Sequence, residues 1–314
     1  MIMVRFTAIA LYGVLFFLWT QPAAADMNDL SSNLRNHVVK LARQIGERNF
    51  IRYEALNEAA AYIEAQLAEY GYRPESQTYT LEGREYRNII ATRPGSGNSA
   101  ETVVVGAHYD TVTGTPGADD NASGVAGLLE LARLFAAKTE NKTIRFVAFT
   151  NEEPPFFRTR RMGSRVFAQA AREQGVEISA MICLEMIGFY SEEKGSQGYP
   201  LPFMRAIYPS TADFIAVVGN LGSRPLVKRV ERGLKRRQEI GVESIATFSW
   251  VPGVDFSDHY SFYKEGYRAV MITDTAFYRN PHYHMGTDTA DTLDYDAMAQ
   301  VVLGLTEAII NLSR

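Results

Sequence analysis

Residues 101–135 read ETVVVGAHYDTVTGTPGADDNASGVAGLLELARLF and combine two patterns of apolar residues. The apolar run VVVGA predicts a strand, and the spacing of apolar residues in VAGLLELARLF predicts a helix. Between them, GADDNASG at 117–124 places two adjacent carboxylates and an amide where the chain enters the helix. A strand that leads into a helix in this way is typical of an α/β fold.

The carboxylate pair in GADDNASG has three candidate roles. Asp and Asn are common helix N-caps, so the pair could simply mark the start of the helix. A phosphate-binding loop is excluded, because it would need backbone N–H groups and a lysine, and two carboxylates would repel the anion. A metal cation would instead attract them. This stretch alone leaves the helix cap and the metal site open.

Strands and helices alternate along most of the chain. Strand patterns occur at 86–94, 101–110, 143–150, 180–187, 213–220 and 268–275. Helical patterns occur at 28–47, 53–71, 121–138, 163–174, 223–239, 257–265 and 294–312. Several strands are nearly continuous apolar runs, as expected where helices cover both faces of a sheet. The pattern predicts an α/β fold, a three-layer α/β/α sandwich with a mixed, largely parallel central sheet, in one domain from 26 to 314.

Residues 1–25 have the layout of a signal peptide. Arg5 precedes an apolar stretch from Phe6 to Trp19, and AAA at 23–25 forms a small-residue cleavage site. A membrane anchor is the alternative, but the stretch is shorter than the ~20 apolar residues that a span needs. We therefore expect cleavage after Ala25, a periplasmic or secreted protein, and no membrane anchor after cleavage.

Composition narrows the range of partners and crosslinks. The formal net charge of −4 argues against a protein that binds nucleic acid. Cys183 is the single cysteine, so the chain cannot form an internal disulfide. Because Cys183 lies in the apolar run AMICLEMI, we expect it to be a buried strand residue rather than a nucleophile.

Residue types that bind metal ions follow several of the predicted strands. They are His108 and Asp110, Asp119 and Asp120, Glu152 and Glu153, Glu185, and His282 and His284. Since ligands bind outside the carboxyl ends of the strands in α/β sheets, these side chains should meet at one edge of the sheet. The sequence therefore favours a metal site over a simple helix cap at GADDNASG.

Two of these groups indicate a division of roles. His108 and Asp110 lie two residues apart, so both point to the same side of an extended chain. A metal-binding histidine usually donates its other ring N–H to a carboxylate, and Asp110 suits that role. Glu152 and Glu153 are adjacent and should point in different directions. One could bind metal while the other acts as general base in metal-assisted hydrolysis.

The order of the motifs resembles that of a known family. His-x-Asp is followed by Gly-x-Asp-Asp-Asn-x-Ser-Gly, Glu-Glu, Leu-Glu-Met and a late His before x-x-x-Asp-Thr, between about residues 80 and 300. This order is similar to that of the secreted bacterial di-zinc aminopeptidases of the leucyl-aminopeptidase type. They belong to the zinc exopeptidase clan, which also includes glutamate carboxypeptidase and glutaminyl cyclase.

The resemblance implies a site that holds two zinc ions. Asp120 would bridge the two ions. His108 and Glu185 would complete one site, and Glu153 and His284 would complete the other. Glu185 departs from the family pattern, since many aminopeptidases have Asp at this position.

The resemblance also implies roles for the residues around the ions. Glu152 would be the general base, and Asp110 would be the carboxylate that orients His108. A cis peptide bond after the bridging Asp is a family feature, which implies one at Asp120–Asn121. The implied substrates are peptides with a free N-terminus, whose amino group would bind at the second metal.

Three other functions remain to be weighed. A glutaminyl cyclase-like acyl transferase would use one zinc, and the full second set of ligands speaks against it. A carboxypeptidase could bind a C-terminal carboxylate with Arg158, Arg160 and Arg161, although a basic turn exposed to solvent explains these residues as well. An inactive binding protein on this scaffold would usually lack ligands or the base, and here none is missing.

Further expectations concern the remaining histidines and a substrate pocket. The family pattern implies that His259 is structural, and the family's spacing to Asp288-Thr289 favours His284 over His282. His37 is expected at the surface. Six aromatic residues are candidates for an apolar side-chain pocket: Phe156, Phe157, Tyr190, Phe248, Trp250 and Phe256.

Overall fold

Eight strands form one mixed sheet in the computed structural model, which describes residues 25–236 and 239–314. They are Glu75–Leu81 (β1), Arg84–Arg93 (β2), Thr102–His108 (β3), Thr143–Phe149 (β4), Ile178–Leu184 (β5), Phe214–Asn220 (β6), Gly241–Thr247 (β7) and Ala269–Thr273 (β8). Their order across the sheet is β1-β2-β4-β3-β5-β8-β6-β7. The pairs β3–β4, β3–β5, β5–β8 and β6–β7 are parallel, so the predicted mixed, largely parallel sheet is confirmed.

Helices precede, connect and follow the strands. The α-helices are Ala25–Val38 (α1), Tyr53–Glu69 (α2), Gly124–Phe135 (α3), Gly163–Glu173 (α4), Arg224–Leu234 (α5), His259–Lys264 (α6) and Tyr295–Ser313 (α7). Val39–Ile45 and Ala118–Ser123 are π-helical, and Pro202–Ala206, Leu221–Ser223, Ala276–Tyr278 and Ala290–Thr292 are short 3₁₀ helices. Within the described part of the chain, no helix is both long enough and apolar enough to span a membrane.

Side chains of the central strands alternate between two apolar cores, one on each face of the sheet. Val103 and Val105 of β3 belong to the core that includes α1, α2, α3, α5 and α7, whereas Val104 belongs to the core that includes α4 and α6. This alternation follows from the two-residue period of a strand. Helices therefore cover both faces, which confirms the predicted three-layer α/β/α sandwich.

The sequence patterns did not predict β1 and β7, which lie at the two edges of the sheet. Their sequences, ESQTYTL and GVESIAT, are polar, and most of their residues are half-buried or exposed. A strand in this position needs no continuous apolar run, so the signal that identified the central strands is missing. The predicted signal peptide lies outside the described residues except for Ala25, at which α1 begins.

The sheet topology fixes where the functional loops meet. The strands β4, β3, β5 and β8 are neighbours in the sheet and run parallel to one another. Their carboxyl ends therefore lie at the same edge, and the loops that follow them converge there.

The expectation that His37 lies at the surface is wrong. The His37 side chain is buried, and its Nδ1 atom lies 2.7 Å from the hydroxyl oxygen of Tyr62. Its Nε2 atom lies 3.1 Å from the Tyr70 hydroxyl and 3.5 Å from a carboxylate oxygen of Glu130. Polar side chains on α2, just after α2 and on α3 thus provide partners for the buried ring of His37. The polar composition of α1 does not reveal this burial.

Substitution of Gly106 in β3 tests the packing between the sheet and its second helical layer. A Cβ atom at Gly106 would lie 2.3 Å from Cε2 of Phe149, a buried ring that packs against Phe167 and Phe262. We expect Gly106→Ala to lower the free energy of unfolding by about 1–3 kcal/mol, as overpacking usually does. The measurement is urea denaturation followed by circular dichroism.

The matched control for this substitution is Gly222→Ala. A Cβ atom at Gly222 would meet only the Asn220 Oδ1 atom, at 3.5 Å, so its stability should stay close to that of the wild type. An unchanged unfolding midpoint for Gly106→Ala would contradict the packing described for Phe149.

Candidate metal centre

Five side chains from five separate segments meet at the carboxyl edge of the sheet. His108 is the last residue of β3, Asp120 lies in the turn before α3, and Glu153 and Glu185 follow β4 and β5. His284 comes from the loop after β8. The first four are buried and His284 is half-buried. These are the five residues predicted to hold zinc, and the structure brings all of them together.

The two carboxylate oxygens of Asp120 face two different groups of side chains. Asp120 Oδ1 lies 3.4 Å from His108 Nε2, and the same nitrogen lies 3.3 Å from a Glu185 carboxylate oxygen. Asp120 Oδ2 lies 3.1 Å from His284 Nε2, which in turn lies 3.5 Å from a Glu153 carboxylate oxygen. Each half of the cluster therefore has one histidine, one glutamate and one oxygen of Asp120.

The donor atoms of this cluster fit zinc. Zinc binds imidazole nitrogen and carboxylate oxygen in tetrahedral sites at about 2.0–2.2 Å, which places two donors of one ion about 3.4 Å apart. In addition, His108 Nε2, Asp120 Oδ1 and Glu153 Oε1 are buried and have no hydrogen-bond partner. A buried polar atom without a partner costs about 1–3 kcal/mol, and a bound cation would satisfy all three.

Burial dominates the electrostatics of the glutamate pair. It raises the pKa of Glu152 well above its usual value. It also raises the pKa of Glu153 to about 7, and the nearby charge of Asp120 adds to the shift. Carboxylates with these pKa values resist ionisation next to one another, so a cation in the cluster would stabilise their charged forms.

The two histidines of the cluster respond to the surrounding carboxylates. Burial alone would lower the pKa of His108, but Glu185, Asp110 and Asp120 raise it well above its usual value. Burial also works against the protonated form of His284, yet the neighbouring carboxylates of Asp120 and Glu153 raise its pKa to about 10. The carboxylates of the cluster thus favour a positive charge next to them.

Asp110 has a different main contact from the one predicted. Its carboxylate accepts hydrogen bonds from the backbone N–H groups of Glu152 and Glu153, both at 3.1 Å. Its Oδ1 atom lies 3.6 Å from His108 Nδ1, and its carbonyl oxygen lies closer to that nitrogen, at 3.2 Å. Asp110 therefore fixes the backbone that carries both glutamates, and its backbone carbonyl is the nearer partner of the His108 ring.

Asp288 holds the backbone of the carboxylate pair in GADDNASG. Its two carboxylate oxygens accept hydrogen bonds from the N–H groups of Asp119 (2.8 Å) and Asp120 (3.1 Å). The Asp119 side chain does not face the cluster, because it accepts hydrogen bonds from Gly188 N–H and from the amide of Asn280. In the sequence analysis, Asp288 served only to choose between His282 and His284 by its spacing, so this contact was not predicted.

Asn121 shows that the stretch also serves as a helix start. Its Oδ1 atom accepts hydrogen bonds from the backbone N–H groups of Gly124 (3.1 Å) and Met186 (3.0 Å), while its amide donates to the Leu184 carbonyl (2.9 Å). The Asp120–Asn121 peptide bond is cis, as the resemblance implies. GADDNASG thus supplies a hydrogen bond at the start of α3 and also places Asp120 in the cluster.

A buried arginine that the sequence did not single out ties the neighbouring loops together. Arg48 donates hydrogen bonds to the carbonyls of Tyr109 (2.7 Å), Pro116 (2.7 Å) and Gly117 (2.9 Å). Burial lowers its pKa to about 10, and Asp288 is the strongest of the carboxylates that oppose this shift. A single arginine in a helix-rich segment gives no sequence signal for this role.

The family model described as peptidase family M28 matches residues 88–309 of the chain. The chain belongs to peptidase family M28. This confirms the predicted family and the predicted class of enzyme, a zinc-dependent peptide hydrolase.

Individual proteins are similar to this chain in sequence or in fold. The chain is 44% identical to the uncharacterized protein YfbL of Escherichia coli K12, over 88% of this chain and 87% of that protein. It is 30% identical to a probable leucine aminopeptidase of Trichophyton verrucosum, over 69% of this chain, and it spans 55% of that protein's length. Its fold is similar to that of BSAP, a zinc aminopeptidase from Bacillus subtilis, with a TM-score of 0.70 and 15% identity over 89% of this chain and 94% of BSAP.

The remaining histidines of the region lie where the sequence placed them. His282 is directed at the Thr287 hydroxyl, with its Nδ1 atom 2.9 Å from that oxygen. His259 is buried outside the cluster, and its Nε2 atom donates to the Val254 carbonyl at 2.8 Å. Ser257, two residues earlier, donates a 2.5 Å hydrogen bond to the Glu185 carboxylate.

A mostly apolar cleft opens beside the metal centre, but the sequence identified few of its residues. Of the six aromatic candidates, Phe256 lines the cleft within the described residues. Phe156 is buried against Phe50 instead, while Phe248 and Trp250 stack on each other at the surface. The cleft is lined mainly by β6, β7 and β8 and by the segment around residues 197–208. Aromatic composition alone could not distinguish these sites.

Measurements of zinc binding can distinguish the roles of His282 and His284, which both lie in the loop after β8. His284→Ala removes a donor atom that faces Asp120 and Glu153, so we expect it to weaken zinc binding by more than about 100-fold. His282→Ala, two residues away, should leave zinc affinity within about threefold of the wild type. Competition with a fluorescent zinc chelator measures both. Weaker binding in His282→Ala with unchanged binding in His284→Ala would reverse the assignment.

The pH dependence of stability tests the buried neutral state of His259. Burial lowers its pKa from 6.5 to about 4 in the folded protein. Since the unfolded state binds the proton first, this group's contribution is present above pH 6.5 and is lost as the pH falls towards 4. Between pH 7 and 4.5, the metal-free wild type should lose about 2–3 kcal/mol more than His259→Gln. Equal losses in parallel denaturation curves would show that His259 is not buried in its neutral form.

Proposed function

We propose that the protein is an exported aminopeptidase that removes N-terminal residues from peptides, with two zinc ions bound at the centre described above. The observation that carries the proposal is the position of Asp120, whose two oxygens each face a separate histidine and glutamate. Export is proposed from the signal-peptide layout of residues 1–25 alone. The curated leucine aminopeptidase described above supports the substrate class, although the chain spans about half of its length.

Two sets of residues would hold the ions. His108, Glu185 and Asp120 Oδ1 would hold the first, and His284, Glu153 and Asp120 Oδ2 would hold the second. When bound, zinc lowers the pKa of a coordinated water and polarises a carbonyl group.

Glu152 is the residue placed to move the proton. It is buried, it is not in either half of the Asp120 cluster, and a carboxylate oxygen lies 4.0 Å from His108 Nε2. The Asp110 carboxylate accepts a hydrogen bond from the backbone N–H group of Glu152. The Glu152 side chain therefore starts from a fixed backbone position beside the cluster. Glu152 would accept a proton from the attacking water and return it to the amine that leaves, which restores the carboxylate for the next cycle.

The alternatives within the clan have less support. A one-zinc acyl transferase would not need the second half of the cluster, yet His284 and Glu153 are in place there. For a carboxypeptidase, Arg158 already pairs with Asp255 at 2.9 Å and Arg161 with Glu82 at 3.1 Å. These arginines are therefore less available to a substrate carboxylate.

Glu152→Gln tests the proton-transfer role. Removal of a general base should lower kcat by about 10²–10⁴-fold for the hydrolysis of leucine amide, while zinc content stays that of the wild type. Glu153→Gln is the matched control, because it replaces a charged carboxylate of the cluster by a neutral amide and should lose zinc as well as activity. Elemental analysis of both variants checks this, and zinc loss in Glu152→Gln would mean that the two roles are exchanged.

The substrate class is tested with free and N-acetylated aminoacyl amides. An aminopeptidase should cleave the free forms and leave the acetylated forms intact, because its substrates need a free amino group. Equal cleavage of both forms, or cleavage from the C-terminal end of a peptide, would contradict the proposed activity.

A further inference from the structure

The cleft beside the metal centre crosses neighbouring strands on one face of the sheet. Thr273 of β8 is paired with Ala216 of β6, and Ala216 is paired with Glu243 of β7. Side chains at paired positions share one face of a sheet, and all three residues line the cleft. The cleft thus has a floor built from three adjacent strands.

The two ends of the cleft are chemically distinct. Glu185, which belongs to the metal cluster, lines one end, and Glu243 lines the other. Three strand spacings separate β5, which Glu185 follows, from β7. At about 4.8 Å each, they amount to about 14 Å between the two backbones.

Glu243 carries the only charge in the cleft apart from Glu185; the other lining residues, all within the described chain, are uncharged. Its side chain is half-buried. Burial raises its pKa, as expected for a carboxylate with little compensation.

The nearest lysine does not neutralise Glu243. Lys235 Nζ lies 2.6 Å from a carboxylate oxygen of Glu231, its partner one turn away on the same stretch. Among residues 25–236 and 239–314, no cation lies within 4.0 Å of the Glu243 carboxylate and no hydrogen bond to it is formed. An incoming cation would therefore find this carboxylate available.

The walls next to Glu243 suit a long side chain with a cationic end. Tyr199 and Tyr208 stack with ring centroids 5.8 Å apart, and both line the cleft. Aromatic faces attract guanidinium and ammonium groups. Val218 and Met271, which also line the cleft, offer apolar surface to an aliphatic stem.

We propose that Glu243 determines specificity in the aminopeptidase reaction proposed above by binding the side-chain cation of an N-terminal lysine or arginine. The inference rests on that proposed function. A lysine side chain reaches about 6 Å beyond its Cα atom, and a glutamate side chain reaches about 4 Å back from the opposite end. Together with a hydrogen-bond distance of about 3 Å, these lengths amount to about 13 Å between the substrate Cα atom and the Glu243 Cα atom, which is close to the separation of about 14 Å between the backbones of β5 and β7.

The test compares substrates that differ in charge and only slightly in shape. Lysine amide is paired with norleucine amide, and arginine amide is paired with citrulline amide. The zinc-loaded wild type should have a kcat/KM at least about tenfold higher for the charged member of each pair, the effect of one partly desolvated ion pair. Glu243→Gln should remove this preference by lowering kcat/KM for the charged substrates about tenfold, while the neutral ones change by less than about twofold.

Asp213→Asn is the matched control. It removes an exposed carboxylate beside the start of β7, where the Asp213 carbonyl accepts a hydrogen bond from Gly241 N–H, but Asp213 does not line the cleft, so both preferences should persist. Unchanged turnover of norleucine amide in Glu243→Gln shows that the variant is folded.

The outcomes separate this inference from the function on which it rests. If norleucine and citrulline amides are cleaved as well as their charged partners, or if Glu243→Gln changes nothing, the role of Glu243 is overturned and the aminopeptidase proposal stands. If the zinc-loaded protein cleaves none of the four amides, both proposals are overturned.

Discussion

The site depends on one carboxylate whose two oxygens serve two separate groups of side chains. Asp120 faces His108 with one oxygen and His284 with the other, and it is buried while doing so. A buried carboxylate is stable only with strong compensation. Its position is not left to the side chain, because Asp288 holds the backbone N–H groups of Asp119 and Asp120. The proposed metal site is therefore built around Asp120, whose backbone position is fixed.

The parallel centre of the sheet explains why distant segments can share this point. The strands β3, β4 and β5 end at one edge, so His108, Glu153 and Glu185 arrive there with little need for long loops. Hydrogen bonds then set their directions: Asp110 holds the backbone that carries the glutamates, and Arg48 joins the loops around the centre. A second layer of polar contacts of this kind is what orients the ligands of a metal site.

The sequence predicted the parts of the molecule that have a strong local pattern. Continuous apolar runs identified the central strands, and the order of the polar motifs identified the five cluster residues. The polar edge strands β1 and β7 lack such a run, and the burial of His37 depends on tyrosines from another helix. Likewise, the contacts of Asp288 and the lining of the cleft arise only when distant segments pack together, so no local pattern records them.

Asp120 should join two metal ions, and anomalous X-ray diffraction at the zinc edge tests this role most directly. A crystal of the zinc-loaded protein should show two peaks about 3.5–4 Å apart. One should lie between His108 and Glu185, the other between His284 and Glu153, with one oxygen of Asp120 bound to each. A single peak at full loading, or two peaks of which only one contacts Asp120, would contradict the account.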